Sequence, residues 1–469
     1  MSAYVEDTIA ALATAAGEGA IAVVRLSGRD AVAIASRILV SPKSESPLSL
    51  EPSHRARLGR LRAPEGALID QVLALPMLAP ASFTGEDVVE IHCHGGTLVP
   101  DLALRAALAA GARAALPGEF TERAFLNGRL DLCQAEAVAD LVRASSESGL
   151  SIARQQLEGL LSEEILAIRD QVLDARALAE AHLDFPEDDL PPEAAAEIGD
   201  LVAAIDGRLA QLAATYGRGR LARQGARVVL SGRPNAGKSS LMNALLGRER
   251  AIVSAEAGTT RDYLEEPLAL GPFRVLLTDT AGLRQSDASI EREGVERSRL
   301  QMESADVVVM LVDRSRPLGD DDRELMRQSQ RGGSGRGRIV VRSKSDLPAA
   351  WSSSELALAD PVIDVSAHAK TGLEELGRAI RTALANSDGA SLDASSEPLA
   401  ITRARHHAAL VGARRALAAI PGHLRDGGGA LDLVSCELQS ACTELERLVG
   451  ITTAEDVLDR IFRRFCVGK

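Results

Sequence analysis

The segment Gly232-Arg-Pro-Asn-Ala-Gly237-Lys238-Ser239 constrains this chain more than any other, because it follows an apolar run, RVVL, and precedes a helical one, LMNALLG. A GxxxxGKS sequence between a strand and a helix is a phosphate-binding loop. Its glycines let backbone N–H groups close around phosphate oxygens at a helix N-terminus, Lys238 neutralises the β and γ phosphates, and the Ser239 hydroxyl ligates magnesium. The segment therefore predicts a nucleoside-triphosphate site.

The flanking pattern fits a doubly wound parallel sheet. Strand candidates RVVLSG, RVLLTDTAG, DVVVMLVD, RIVVR and PVIDVS fall between residues 226 and 385, each followed by a helical or loop segment, as in α/β domains. Asp279-Thr280-Ala281-Gly282 ends the second candidate, where Asp279 can hold magnesium through water and Gly282 can approach the γ-phosphate. Gly258-Thr259-Thr260-Arg261-Asp262 is a polar loop whose Thr260 hydroxyl would complete the magnesium shell, and loops of this kind switch between order and disorder. Base choice falls to Ser343-Lys344-Ser345-Asp346, since the Asp346 carboxylate accepts from guanine N1–H and N2–H₂, a donor pair that adenine lacks. Ser366-Ala367-His368 fits the final backbone contact to the base.

In this order the five segments resemble the G domain of translation-factor-like GTPases, and they predict GTP rather than ATP. Such domains normally carry Asn where this chain has Ser343. The serine lacks the amide that braces neighbouring loops and the base, which would lower nucleotide affinity while Asp346 keeps the main discriminator. A water-orienting Gln is also missing, because Leu283 and Arg284 follow Gly282. Asp287, Glu291, Glu293 and Glu296 are all candidates for that role, and spacing alone does not choose among them.

At 469 residues the chain is about three times the usual domain size. Residues 1–117 read as a small α+β domain, and 118–225 as helices broken by DFPEDDLPPE at 184–193. Residues 226–385 form the G domain, and 386–469 return to helical character after NSDGASLDASSE. The fold expected is thus multidomain α/β plus α, with the Ras-like P-loop domain inserted into a discontinuous helical domain. A net charge of -13 argues against a protein that coats nucleic acid by charge, so such a partner must be held locally. QRGGSGRGR at 330–338 reads as a solvated loop rather than an RNA contact. The five cysteines include no CxxC pair, which fits a reducing compartment. No apolar run approaches the roughly 18 residues needed to span a bilayer, and a cytoplasmic protein is expected. His92 and His94 flank Cys93, but strand alternation puts the histidines on one face and the thiol on the other, so no metal is expected there.

The whole pattern is similar to the MnmE (TrmE) family of tRNA modification GTPases. GRPNAGKSSLMNALLGRERAIVS, AGTTRD, DTAGLR, SFTGEDVVEIHCHGG, PGEFTERAFLNGRLDLCQAEAVADL and the terminal FCVGK carry the resemblance. It implies GTP contacts from Asn235, Ala236, Gly237, Lys238, Ser239 and Ser240, and from Ser254, Ala255, Glu256, Ala257, Gly258, Thr259 and Thr260. Asp279, Thr280, Ala281, Gly282, Ser343, Lys344, Ser345, Asp346, Ser366, Ala367 and His368 complete the expected nucleotide site. K⁺ would be held by Asn235, Ser254, Glu256 and Thr259, and Mg²⁺ by Ser239 and Thr260. Glu291 would orient the attacking water.

The resemblance also implies an N-terminal folate-binding and dimerisation domain. A 5-formyl- or methylene-tetrahydrofolate donor would contact Arg25, Glu90, Arg129 and Lys469. Cations suit the glutamate tail of folate and a carboxylate suits its pterin edge. Cys466 is a candidate catalytic thiol, with a small buried hydrophobe as the alternative. The implied activity modifies position 5 of wobble uridine 34 in certain tRNAs, giving a carboxymethylaminomethyl or aminomethyl group. A homodimer would act with an FAD-binding MnmG-type partner in a heterotetramer. The rival is an Era-like switch in ribosome assembly without nucleoside chemistry, but Era-like proteins lack the folate-like domain and the FCVGK tail.

Overall fold

The computed structural model describes residues 7–44, 46–183, 192–247, 265–271, 273–279, 300–330, 337–355, 360–387, 399–425, 430–453, 455–463 and 465–469. Along the chain come β1 (Ile9–Leu12), β2 (Ile21–Ser27), α1 (Ala31–Ile38), β3 (Leu39–Val40), β4 (Arg57–Arg62), β5 (Leu68–Met77), β6 (Val88–His94), α2 (Leu98–Ala109) and β7 (Arg113–Ala114). The helices α3 (Glu119–Leu126), α4 (Leu132–Arg143), α5 (Glu147–Leu157), α6 (Leu160–Leu183), α7 (Pro192–Ala214) and α8 (Tyr216–Gln224) follow. Next are β8 (Ala226–Gly232), α9 (Lys238–Leu246), β9 (Glu265–Leu270), β10 (Phe273–Asp279), β11 (Val307–Asp313), α10 (Asp320–Gln330), β12 (Gly337–Ser343), β13 (Val362–Val365) and α11 (Leu373–Ser387). The chain closes with α12 (Ala404–Arg425), α13 (Leu431–Val449) and α14 (Glu455–Phe462).

Residue contacts divide the chain into two compact units. One comprises Met1–Val142, Gln155–Gly207 and Ala409–Lys469, and the other Arg143–Arg154 and Arg208–Ala408.

In the first unit a seven-stranded sheet has the order β3-β4-β5-β6-β2-β1-β7. In β2 the alternate residues Ala22, Val24 and Leu26 are buried with Ile34, Ala35 and Ile91 under α1 and α2, the period-two pattern of a strand with one covered face. The opposite face of β2 and β6 carries Arg25 and Glu90, which stand opposite each other in the antiparallel register. Helix packing follows a 3.6 period. Leu161, Ile165, Ile168, Val172, Ala175 and Ala179 line the buried side of α6, and Val434, Leu438, Ala441, Leu445 and Leu448 that of α13, which packs along it. Small residues in both stripes let the two helices approach closely.

Arg123 is nearly buried, with 4% of its side chain exposed, at the centre of an ionic network. Its Nη2 donates to Asp7 Oδ1 at 2.6 Å and to Glu119 Oε1 at 3.0 Å, and Nη1 to Glu86 Oε1 at 3.2 Å. Arg113 donates to Asp7 and Glu119 as well. Gly118 has φ 76°, and a Cβ there would lie 2.5 Å from the Phe462 carbonyl oxygen, so only glycine allows α3 to start against the end of α14.

The second unit holds a six-stranded sheet of order β13-β12-β11-β8-β10-β9, parallel except for β9. Val228, Leu230, Val275, Leu277, Val309, Leu311, Ile339 and Val341 form its core with Leu241, Leu245, Leu376 and Ile380 of α9 and α11. This is an aliphatic interior, as a composition of 2% aromatics requires. The five strand candidates of this region are all present. The sequence did not reveal β9, whose EEPLAL has a proline in the middle; as the last strand in the order it tolerates a residue without an N–H.

Candidate functional site

The phosphate loop leaves the C-terminal end of β8 and enters α9. Gly232 is required by space and backbone together, since its φ is 154° and a Cβ would meet the Leu311 carbonyl oxygen at 2.5 Å. Gly237 is left-handed at φ 94° at the N-cap of α9, and nothing lies within 4 Å of where its Cβ would be. An open side at a helix N-terminus is an arrangement suited to phosphate oxygens. Asn235 is also left-handed, at φ 63°. Lys238 is buried, and its ammonium donates to the carbonyl oxygens of Gly232 and Arg233 at 2.8 and 2.9 Å. These bonds fold the lysine back over its own loop, which holds its charge at the cradle.

Ser239 Oγ donates to Asp279 Oδ2 at 2.8 Å. The contact joins α9 to the end of β10, which pairs in parallel with β8. A hydroxyl in the first turn of a helix and a carboxylate at the end of the adjoining strand are hard oxygen donors of the kind magnesium takes beside phosphates. The Arg233 side chain pairs with Asp321 and Asp322 at 3.0 and 3.4 Å.

The base-reading segments meet at the ends of β12 and β13. Asp346 accepts a short hydrogen bond from Ser366 Oγ, which in turn accepts from the Ala369 N–H at 2.9 Å. That hydroxyl, then the backbone and the nearby His368 and Lys344 charges, holds the Asp346 carboxyl below its ordinary range. It is therefore an anion, the state that accepts two hydrogen bonds from a guanine edge. Lys344 is left-handed at φ 59° and pairs with Asp313 at 2.6 Å.

In the first unit Arg25 and Glu90 are joined to each other, through Arg25 Nε and Nη2 to Glu90 Oε1 at 2.9 and 2.7 Å. The guanidinium lies 5.9 and 5.7 Å from the Phe83 and Phe120 ring centres. The tail reaches the same sheet: the Gly118 N–H donates to the Cys466 carbonyl at 3.4 Å, and Gly468 lies against the Leu12–Ala13 backbone. Burial and then the Arg25 charge lower the pKa of Lys469. Cys466 is exposed, unlike the buried Cys93, Cys133 and Cys442. Arg129 packs its side chain near Gly85 in the loop that carries Phe83. His92 and His94 share one face, bonded to Glu90 and Asp70 respectively, while Cys93 is buried in the core.

Ser254, Ala255, Glu256, Ala257, Gly258, Thr259, Thr260, Thr280, Ala281, Gly282 and Glu291 lie outside the described residues. Asp313, which pairs with Lys344, and Ser315 and Trp351, which bond to Asp313, carry no motif that marks them in the sequence. The only available signal was the acidic end of the apolar run DVVVMLVD.

A sheet parallel but for β9, with a phosphate loop after its first strand, an acidic end on the adjoining strand and Asp346 at the base-reading position, defines a P-loop GTPase domain. The family model for the MnmE helical domain matches residues 132–466, and that for the GTP-binding protein TrmE N-terminus matches 8–129. The chain belongs to the MnmE family of tRNA modification GTPases. It is 44% identical to the tRNA modification GTPase MnmE of Moorella thermoacetica over 99% of this chain and 100% of that one. It is 42% identical to the MnmE of Geobacter sulfurreducens with the same coverage. Among solved structures, the G domain of the T. maritima FeoB iron transporter is similar at 27% identity over 34% of this chain and 97% of that chain, with a TM-score of 0.27.

Proposed function

We propose that this protein hydrolyses GTP and uses the accompanying rearrangement to support modification of position 5 of wobble uridine 34 in certain tRNAs. The observation that carries this reading is the Ser239–Asp279 pair beside Lys238 at the phosphate loop, in a chain whose family match runs through all its parts. Ser239 and Thr260 would hold Mg²⁺, with Asp279 holding it through water. Asn235, with Ser254, Glu256 and Thr259, would hold K⁺. When bound, these cations neutralise charge that develops on the phosphates. Lys238 orients the phosphates, Asp346 selects guanine, and Glu291 positions the attacking water.

Arg25, Glu90, Arg129 and Lys469 would bind a 5-formyl- or methylene-tetrahydrofolate. The paired ionic groups beside Phe83 and Phe120 suit a flat heteroaromatic ring with an acidic tail. Cys466, exposed within the tail, is in the same reading a candidate reactive thiol. The protein would act as a cytoplasmic homodimer with an FAD-binding MnmG-type partner and tRNA, adding a carboxymethylaminomethyl or aminomethyl group. Among the described residues no helix is long and apolar enough to cross a membrane. Mass spectrometry of wobble uridines from cells lacking the protein tests this. Loss of the C5-modified nucleosides is expected, and an unaltered profile would overturn the reading.

A further inference from the structure

Ser343 stands where an amide usually braces the base-reading loop, and its side chain is turned into the sheet: Oγ donates to the Val312 carbonyl at 3.3 Å, buried between β11 and β12. Ser343 stands opposite Asp313 in the parallel register of those strands, and Asp313 makes the contacts that a brace requires. Oδ2 accepts from Lys344 Nζ at 2.6 Å, while Oδ1 accepts from the Ser315 N–H and hydroxyl at 2.9 and 2.6 Å. The Asp313 carbonyl accepts from the indole N–H of Trp351 at 3.0 Å, and the Arg314 N–H donates to the Ser343 carbonyl at 3.1 Å. Asp313 has 12% of its side chain exposed, so its pairing with Lys344 is only partly screened by water. Lys344 is in a left-handed conformation that a side chain rarely adopts and that persists only where neighbours fix it. Two residues further on is Asp346.

We propose that Asp313 is a positioning residue for guanine recognition, holding the Lys344–Asp346 loop through Lys344 and so replacing the brace that position 343 lacks. The proposal rests on the GTPase reading above and names what sets the geometry of its base pocket. Asp313 acts through Lys344 and does not itself touch the nucleotide.

Trp351 is the chain's single tryptophan, so its emission reports on this loop while GDP is titrated into the full-length protein. Asp313→Asn keeps the size of the side chain and removes its charge. It is expected to weaken GDP and raise KM for GTP about tenfold, the scale of one charge-assisted hydrogen bond. The kcat at saturating GTP should stay within about twofold, as expected for a change in binding alone. Ser343→Asn should recover most of that loss in the Asp313→Asn protein and change the parent much less, because two braces on one loop are not additive. Ser315→Ala, a milder change that leaves the charge in place, should weaken GDP in the same direction. GDP affinity unchanged in both Asp313→Asn and Ser315→Ala would overturn the proposal, as would equal effects of Ser343→Asn in the two backgrounds. A parent protein that binds no GDP would instead overturn the GTPase reading.

Discussion

The hydroxyl of Ser239 donates a 2.8 Å hydrogen bond to Oδ2 of Asp279, tying the first turn of α9 to the last residue of β10. The two side chains are 40 positions apart and come together because β8 and β10 are parallel neighbours whose C-terminal ends share one edge. Open α/β sheets place their ligands at that edge.

Asp279→Asn keeps the size of this side chain but removes the charge that would favour magnesium. Its magnesium requirement for GTP hydrolysis should rise by roughly 10- to 100-fold, the range seen when a supporting ligand is altered. Titrating magnesium at fixed GTP measures this, and an unchanged half-saturation point would remove Asp279 from the metal site.

Asp346→Asn exchanges one acceptor oxygen for an N–H₂ donor. The Ser366 hydroxyl can still donate to the remaining amide oxygen, so the loop should hold its shape. Guanine loses its two charged hydrogen bonds, whereas xanthine, with a carbonyl at C2, gains a donor. The ratio of GTP to XTP affinity should fall by on the order of 100-fold or more. Competition binding of the two nucleotides is the measurement.

Glu291→Ala should keep GTP binding and lower turnover by about 100-fold or more, the usual contribution of a group that orients or deprotonates water. Replacing K⁺ by Na⁺ should slow the parent protein too. Equal rates in the two salts would remove Asn235 from a cation site.

The Arg123 network predicts an acid-labile first unit. Burial alone raises the Glu119 carboxyl, but hydrogen bonds from Arg113, the Leu116 N–H and Arg123 outweigh it and hold the group below its ordinary value. In Asp7 the hydrogen bonds from Arg113 and Arg123 likewise outweigh burial. Groups lowered in the folded state add stability above their unfolded values, near 4, and lose it as pH falls through the folded values. Glu122 has the opposite sign: burial and the Glu119 and Asp459 charges raise it, so its cost is present at neutral pH and relieved by acid. Arg123→Met takes one arginine from Asp7, Glu119 and Glu86, of which the first two keep Arg113, and should cost about 3 kcal/mol at pH 7, with a smaller deficit below about pH 4. Denaturant unfolding of both proteins at several pH values checks the sign, and a deficit that grows with acid would refute it.

Much of the site was legible because its signals are local. Gly232 to Ser239 is one loop whose residue types are dictated by phosphate, and the apolar runs on either side identify its strand and helix. Alternation within β6 separated His92 and His94 from Cys93, as the structure has them. Nothing in the chain marks an element whose pattern is interrupted, as by Pro267 in β9, or a pairing whose partner is distant. Arg123 reaches Asp7 across 116 positions, and no periodicity in α3 marks that pairing.

A phosphate loop, an acidic strand end and the Asp346 carboxylate can be followed one after another along the chain, on alternating strands and helices. Backbone chemistry and hydrophobic period act over a few residues, so they can be read along the chain. The direction of the Ser343 side chain and the residue set against Lys344 come instead from the packed sheet. The register of β11 on β12 turns the serine hydroxyl into the sheet and sets Asp313 against Lys344. Strand register is fixed by the packing of a whole core, and no single residue announces it.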